Sequence, residues 1–230
     1  MTTHAPGIGQ LSERSLHAGL KAYLARPGDR FEVKLDGYVI DIVRDELLIE
    51  IQTRHLYALR PKLRRLLESH RIHLVHPLPA ERWIARQDAD GRPLTRRKSP
   101  KHAAARDIFN ELVRFTDLAA HPNLTREALL VQEEQVWRDD GQGSWRRGRW
   151  SVVDRRLVGV MASHVFARPE EYLALLPPLP EPFSNADLAA ASGWDRHLAG
   201  KATYALRKMG LLEAERQGRA NVFSMTAIDL

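Results

Sequence analysis

Two short apolar strands, each interrupted by a carboxylate, constrain this chain more than any other feature of its sequence. Val and Ile dominate residues 38–43 and 47–52, which predicts β-strands, and Asp41 and Glu50 fall inside them. Residues 44–46 connect the two runs and predict a tight turn. Because side chains alternate along a strand, a two-residue turn places both carboxylates on one face of the pair, whereas a three-residue loop separates them.

Carboxylates inside apolar strands need a counter-charge, because burial and mutual repulsion both disfavour two neighbouring anions. A divalent cation supplies that charge, and two carboxylates with a backbone carbonyl and water form the oxygen shell that Mg²⁺ prefers. The alternative is that this face of the strand pair is solvated and that its acids point into water. Alternation along the strands leaves both interpretations open, and it places Gln52 on the same face.

The elements around the strand pair predict a mixed α/β sheet flanked by helices. Apolar spacing and β-branched runs predict a helix, a strand, a basic helix and a further strand. These elements lie at residues 11–24, 31–35, 56–68 and 72–76. The order of one helix, three strands, one helix and one strand is typical of a layered α/β domain. An extension follows, with a helix at 101–115 and strands at 129–137 and 150–153.

The run from Asp41 to Thr53, followed by a helix, resembles the core of the PD-(D/E)XK nuclease superfamily. The resemblance covers roughly residues 11–78, and the element order matches a restriction-endonuclease-like fold. The superfamily carries an Asp on its second strand and Glu-x-Lys on its third. The resemblance therefore implies that Asp41 and Glu50 hold a Mg²⁺ or Mn²⁺ ion. It also implies further ligands, which are the Ile51 carbonyl and Glu13 of the first helix.

The signature lysine is replaced by Gln52 in this chain. Lysine helps to position or deprotonate the attacking water and offsets phosphate charge, whereas glutamine can orient water but carries no charge. Other members of the superfamily carry the lysine on the following helix, where Lys62 stands here, and Lys34 is a second candidate. The resemblance implies a DNA endonuclease with Gln52 and Lys62 in its catalytic set. The alternative is a non-catalytic DNA-binding or regulatory protein on a degenerate nuclease fold.

Basic residues outside the motif predict contacts with nucleic acid. The chain has 35 Lys and Arg against 29 Asp and Glu, and this surplus favours a polyanionic partner. We expect DNA, with RNA as the alternative, and a homodimer is left open. One basic stretch lies in a loop or arm predicted at residues 88–102, and another lies between Trp145 and Trp150. The candidates are Arg96, Arg97, Lys98, Lys101, Arg146, Arg147 and Arg149.

A proline-rich linker at residues 176–182 predicts a boundary between a nuclease-like domain at 1–175 and a smaller domain at 183–230. The smaller domain is predicted to be helix, turn, helix and hairpin, and it resembles winged-helix domains with residues 195–209 as the recognition helix. Winged helices bind DNA, and they also serve as protein-interaction modules, so both roles stay open. Its basic candidates are Arg196, Lys201, Arg207 and Arg219.

The compartment is predicted from what the sequence lacks. The chain has no cysteine, which excludes disulfides and thiolate zinc sites. No apolar run approaches the roughly 18 residues of a membrane helix. The first ten residues lack the pattern of a secretory signal. We therefore expect a cytoplasmic protein that does not associate with membranes.

Overall fold

The computed structural model describes residues 8–145, 148–218 and 220–226, with only the backbone described for residues 8–14. The helices are α1 (Ile8–Leu24), α2 (Arg60–Leu66), α3 (Phe109–Leu112), α4 (Thr116–Ala119), α5 (Asn185–Ser192) and α6 (Arg196–Lys208). Short 3₁₀ turns lie at Leu56–Leu59, Ala105–Ile108 and Pro169–Leu175. The strands are β1 (Arg30–Leu35), β2 (Tyr38–Arg44), β3 (Leu47–Ile51), β4 (Arg71–Gln87), β5 (Pro93–Lys98), β6 (Leu124–Arg138), β7 (Ser151–Phe166), β8 (Phe183–Ser184), β9 (Leu212–Gln217) and β10 (Ala220–Met225).

A seven-stranded mixed sheet forms the centre of the molecule, in the order β1-β2-β3-β4-β6-β7 with β5 paired to β4. Strands β1, β2 and β3 form an antiparallel meander, and β4 then joins β3 in parallel after the chain has crossed through α2. Strand β6 runs parallel to β4 and antiparallel to β7. The predicted mixed α/β class, with its order of one helix, three strands, one helix and one strand, is confirmed.

Three predictions about the middle of the chain differ from the structure. The strand predicted at 72–76 continues to residue 87. Pro77 and Pro79 lie in a part of β4 that pairs with neither β3 nor β5, and so they do not end the strand. On that side their missing N–H groups break no ladder hydrogen bond. The loop predicted at 88–102 is largely a hairpin, in which β5 folds back on β4. The helix predicted at 101–115 is reduced to one 3₁₀ turn and the four-residue α3.

Each face of the large sheet has its own hydrophobic core. Leu16 and Leu20 of α1 pack against Ile42, Ile49 and Val75 on one face, and all five are buried. The other face carries the larger core, which includes Leu63 and Leu66 of α2 and Phe109 of α3. Helices α1 and α2 are therefore fixed on opposite faces of the same strands, because burying each Leu contributes roughly 1.5–3 kcal/mol.

The C-terminal segment contains two helices and a small sheet in the order β8-β10-β9. Helix α5 begins as predicted, because the Ser184 hydroxyl accepts hydrogen bonds from the N–H groups of Ala186 and Asp187. The rings of Trp194 and Phe109 lie 6.2 Å apart, so this segment shares one core with α3. Its independence as a domain stays a prediction. No helix in the described part of the chain is long and apolar enough to cross a membrane.

Candidate functional site

The turn between β2 and β3 has the length that the placement of the carboxylates requires. Its two residues are Asp45, with a φ of 51°, and Glu46, and the strands pair Val43 with Leu48 and Ile42 with Ile49. Continuing this register by one step places Asp41 opposite Glu50. The backbone pairing ends there, and the Ile51 N–H instead donates to Asp41 Oδ2 at 2.9 Å. The partners of the two carboxylates lie on different helices, α1 for Asp41 and α2 for Glu50, and these helices pack on opposite faces of the sheet, so the predicted placement on one strand face is not confirmed.

A cleft of about 890 Å³ opens where the two strands stop pairing, bordered by α1, β1, β2, β3 and α2. Five of the residues that the sequence selected contribute to its lining, namely Asp41, Glu50, Ile51, Gln52 and Lys62. Glu13 falls in the first half of α1, where the side chains lie outside the described part of the structure.

Asp41 is held as an anion by groups from α1. His17 Nε2 lies 3.1 Å and Lys21 Nζ 3.7 Å from Asp41 Oδ1. Burial by itself raises the pKa of Asp41, but the hydrogen bond and charge of His17, the Ile51 amide and Lys21 outweigh it and lower that pKa. The Asp41 carboxylate is therefore charged at neutral pH and available to a cation.

Glu50 has the opposite electrostatic environment. Its exposed fraction is 3%, so the interpretation in which this acid points into water is wrong. Burial raises the pKa of Glu50 to about 7 and the Asp41 charge adds to the effect, although Lys62 opposes it. Lys62 Nζ lies 2.5 Å from Glu50 Oε1 and donates to the Val39 carbonyl at 2.5 Å. Lys62, the lysine predicted on the second helix, thus lies beside the Glu50 carboxylate.

Gln52 lines the cleft but its side chain is already engaged. Its carboxamide nitrogen donates to the Arg54 carbonyl. The backbone carbonyl of Gln52 is paired with Nδ1 of the buried His76 at 2.6 Å. Burial lowers the pKa of His76, so this imidazole is neutral and donates its Nδ1–H to the Gln52 carbonyl. His76 therefore holds the backbone of Gln52 at the end of β3.

Among the titratable residues that line the cleft, His17, Lys21 and Glu32 were not predicted from the sequence. Lys21 Nζ lies 2.9 Å from Glu32 Oε1 as well as near Asp41, and so it links β1 to β2 through α1. The signal was present in part, because His17 and Lys21 are four residues apart and share one helix face beside the apolar Leu16 and Leu20.

The candidate metal ligands are oxygen atoms, and the nitrogen atoms of His17 and Lys62 nearby are paired with the two carboxylates. Among the described residues, no group of three or more His, Cys, Asp and Glu side chains is arranged to hold a metal ion. The carboxylates of Asp41 and Glu50 with the Ile51 carbonyl match the type of ligand that Mg²⁺ takes, since this ion usually keeps several waters and needs only one or two carboxylates. A buried acid whose pKa is raised also gains from exchanging its proton for a divalent cation.

The predicted nucleic-acid contacts on β5 lie outside the cleft and are largely paired with acids. Arg96 Nε lies 2.6 Å from Glu134 and its guanidinium stacks 4.1 Å from the centre of the Trp83 ring. Lys98 Nζ lies 2.5 Å from Glu81. Arg97 and Lys101 are exposed, and Lys101 borders a separate cavity of about 260 Å³. Most of the basic segment is thus a strand that folds back on β4, whereas the sequence predicted a loop or an inserted arm.

The remaining basic candidates are distributed over the surface. Arg149 is exposed in a turn with a φ of 65°, and Arg196 and Arg207 are exposed on α6. Lys201 donates to Asn110 Oδ1 at 2.8 Å, which ties α6 to α3. The predicted contacts that lie outside the described residues are Arg146, Arg147 and Arg219.

Comparison with known proteins places this cleft inside a region that matches a family model. A family model described as "Domain of unknown function (DUF8091)" matches residues 14–167, a range that contains the whole cleft lining. A protein of Treponema pallidum (strain Nichols), described as "Uncharacterized protein", is 36% identical over 185 residues, which is 79% of this chain and 73% of that protein. No solved structure matches the chain.

Proposed function

The chain belongs to the family described as "Domain of unknown function (DUF8091)", and we propose that it is a metal-dependent endonuclease that hydrolyses phosphodiester bonds of DNA. The observation that carries the proposal is the ion pair between Lys62 and Glu50 beside Asp41 in one cleft. Lys62 supplies the positive charge of the signature lysine, which Gln52 lacks on the third strand. The strand order of the sheet supports a restriction-endonuclease-like core by analogy of fold.

In this proposal Asp41, Glu50 and the Ile51 carbonyl hold Mg²⁺ or Mn²⁺. When bound, the ion supplies a water of lowered pKa and positive charge near the phosphate oxygens. His17 keeps Asp41 ionised and fixes its orientation. Lys62 is anchored by the Val39 carbonyl and stabilises the negative charge that develops on the phosphate.

The C-terminal segment would hold the DNA substrate. The arrangement of α5, α6 and the β9–β10 hairpin supports a winged-helix-like role, with Arg196 and Arg207 exposed on the second helix. Phosphate contacts of this type make binding sensitive to salt but do not depend on the cleft. Substrate binding and cutting can therefore be measured separately.

Plasmid nicking tests the proposal in Mg²⁺, in Mn²⁺ and in EDTA. We expect metal-dependent nicking by the wild type, no nicking by Asp41→Ala, and a rate about 100- to 1,000-fold lower for Lys62→Met. Lys34→Met is the matched control, because Lys34, the second candidate lysine, is exposed on β1 and is not among the described residues that line the cleft; this variant should nick at close to the wild-type rate.

A non-catalytic DNA-binding protein is the second candidate, favoured by the engagement of the Gln52 carboxamide with the Arg54 carbonyl. It predicts salt-sensitive DNA binding by the wild type and no nicking in any metal. That outcome would refute the endonuclease. A wild type that neither binds nor nicks DNA would refute both.

A further inference from the structure

One part of the cleft lining is apolar and open to solvent. Phe31 of β1 and Val39 of β2 line the cleft with exposed fractions of 47% and 52%. Helix α1 contributes Ala18 and Ala22, and Ala25 follows directly after its end; all three are exposed as well. Metal binding by two carboxylates does not need such a surface. Small side chains beside an exposed aromatic ring leave space for a flat apolar group.

The backbone of β1 is distorted in a way that brings Phe31 into the cleft. Glu32 has a φ of 52°, which is uncommon for a residue other than glycine and is unusual inside a strand. Consecutive strand residues normally point to opposite faces, yet Phe31 and Glu32 both line the cleft. Lys21 holds Glu32 in this position through their ion pair. A residue held in an unfavourable conformation by its surroundings is typical of a functional site.

We propose that the apolar wall formed by Phe31, Val39 and these three alanines stacks an unpaired base of single-stranded DNA. This inference rests on the proposed nuclease function and names its substrate class. Within a duplex each base is covered by its neighbours on both faces, so the Phe31 ring can meet the face of a base only where that base is unpaired.

The dimensions of the cleft agree with this occupant. A volume of about 890 Å³ lies within the range of sites that enclose one small organic molecule. Phe31 pairs with Ile42, the residue next to Asp41, and neighbouring strands lie about 4.8 Å apart. A nucleotide whose base stacks on Phe31 therefore has its phosphate within reach of the carboxylates.

The test is fluorescence anisotropy with a short labelled oligonucleotide, offered as single-stranded DNA, as blunt duplex DNA and as single-stranded RNA of the same sequence. Ca²⁺ replaces Mg²⁺ so that binding is measured without cutting. We expect the single-stranded DNA to bind most tightly. Phe31→Ala should weaken that binding by about 5- to 150-fold, and Phe31→Tyr should keep it, because stacking needs the ring.

Tyr23→Ala is the matched control. Tyr23 is an exposed aromatic residue of α1, with an exposed fraction of 55%, but it borders a separate cavity. It should bind like the wild type, as should Phe31→Tyr, and thermal melts should show that all variants are folded. With 2-aminopurine in the single strand, the wild type and not Phe31→Ala should quench its fluorescence.

The inference and the proposed function can fail separately. Equal binding of single strand by Phe31→Ala and by the wild type, tighter binding of duplex or RNA, or duplex cutting unaffected by Phe31→Ala would overturn the base-stacking wall and leave the nuclease intact. Binding of single strand that depends on Phe31, without cutting in any metal, would overturn the nuclease and support the wall.

Discussion

Replacing Glu50 by Gln should make the protein more stable at alkaline pH while abolishing its proposed activity. The pKa of Glu50 rises from an ordinary 4.5 to about 7, because the carboxylate is buried. Each unit of this shift corresponds to about 1.4 kcal/mol, so keeping Glu50 charged in the folded protein costs about 3 kcal/mol. Glutamine has nearly the same shape and no charge, and it removes that cost.

The sign of the effect follows from proton binding. The folded protein holds the Glu50 proton more tightly than the unfolded chain, so stability falls as pH rises from about 4.5 to about 7 and stays low above that. Urea unfolding in EDTA at pH 5 and pH 8 measures the difference. Glu50→Gln should exceed the wild type by about 3 kcal/mol at pH 8 and approach it at pH 5.

Lys62 provides the result that would refute this reasoning. Its ammonium lies 2.5 Å from Glu50 Oε1, and Glu50→Gln removes that partner. If the ion pair outweighed the burial of the carboxylate, the variant would be less stable than the wild type at pH 8. Such a result would mean that Glu50 is charged well below neutral pH. The Glu50 proton would then not compete with Mg²⁺ near neutral pH.

Asp41→Asn should change stability in the opposite direction, because the pKa of Asp41 is lowered in the fold; urea unfolding at pH 8 should show a loss of stability that disappears as the pH falls through that pKa. Mg²⁺ binding, measured by calorimetry, should tighten about tenfold per pH unit up to about pH 7 and then level off, since the Glu50 proton competes with the ion; a flat profile would contradict this. Phe109→Ala should destabilise the protein by about 3–5 kcal/mol, and far-UV and near-UV dichroism should give one coincident transition, because Phe109 packs against both Tyr172 and Trp194.

Features set by neighbours in sequence could be predicted, and those set by distant pairing could not. The turn at Asp45 depends on a few adjacent residues, and its two-residue length is observed, whereas regular alternation breaks at Asp41, because Ile40 and Ile42 lie in cores on opposite faces. The extent of β4 depends on which strands flank Pro77 and Pro79, a property of the assembled sheet. The two prolines therefore predicted the end of the strand at a position where the assembled sheet tolerates proline.

The same distinction separates the site residues that were found from those that were missed. Lys62 could be selected because the resemblance to the nuclease superfamily implies a lysine on the helix after the third strand. His17 and Lys21 depend on how α1 docks on the sheet, which the burial of Leu16 and Leu20 determines only in the folded protein. The conformation of Glu32, which brings Phe31 into the cleft, has no signature in the sequence.

The two carboxylates are neighbours with pKa values displaced in opposite directions, and this divides their roles. Asp41 is ionised by His17 and Lys21, whereas Glu50 holds a proton up to about pH 7 because it is buried. Pairs of titratable groups separated in this way are typical of sites that bind a cation or move a proton. A purely structural strand pair would gain stability by replacing Glu50 with an apolar residue. A buried acid of raised pKa, beside a lysine and near an aspartate of lowered pKa, therefore fits the chemistry proposed for this cleft.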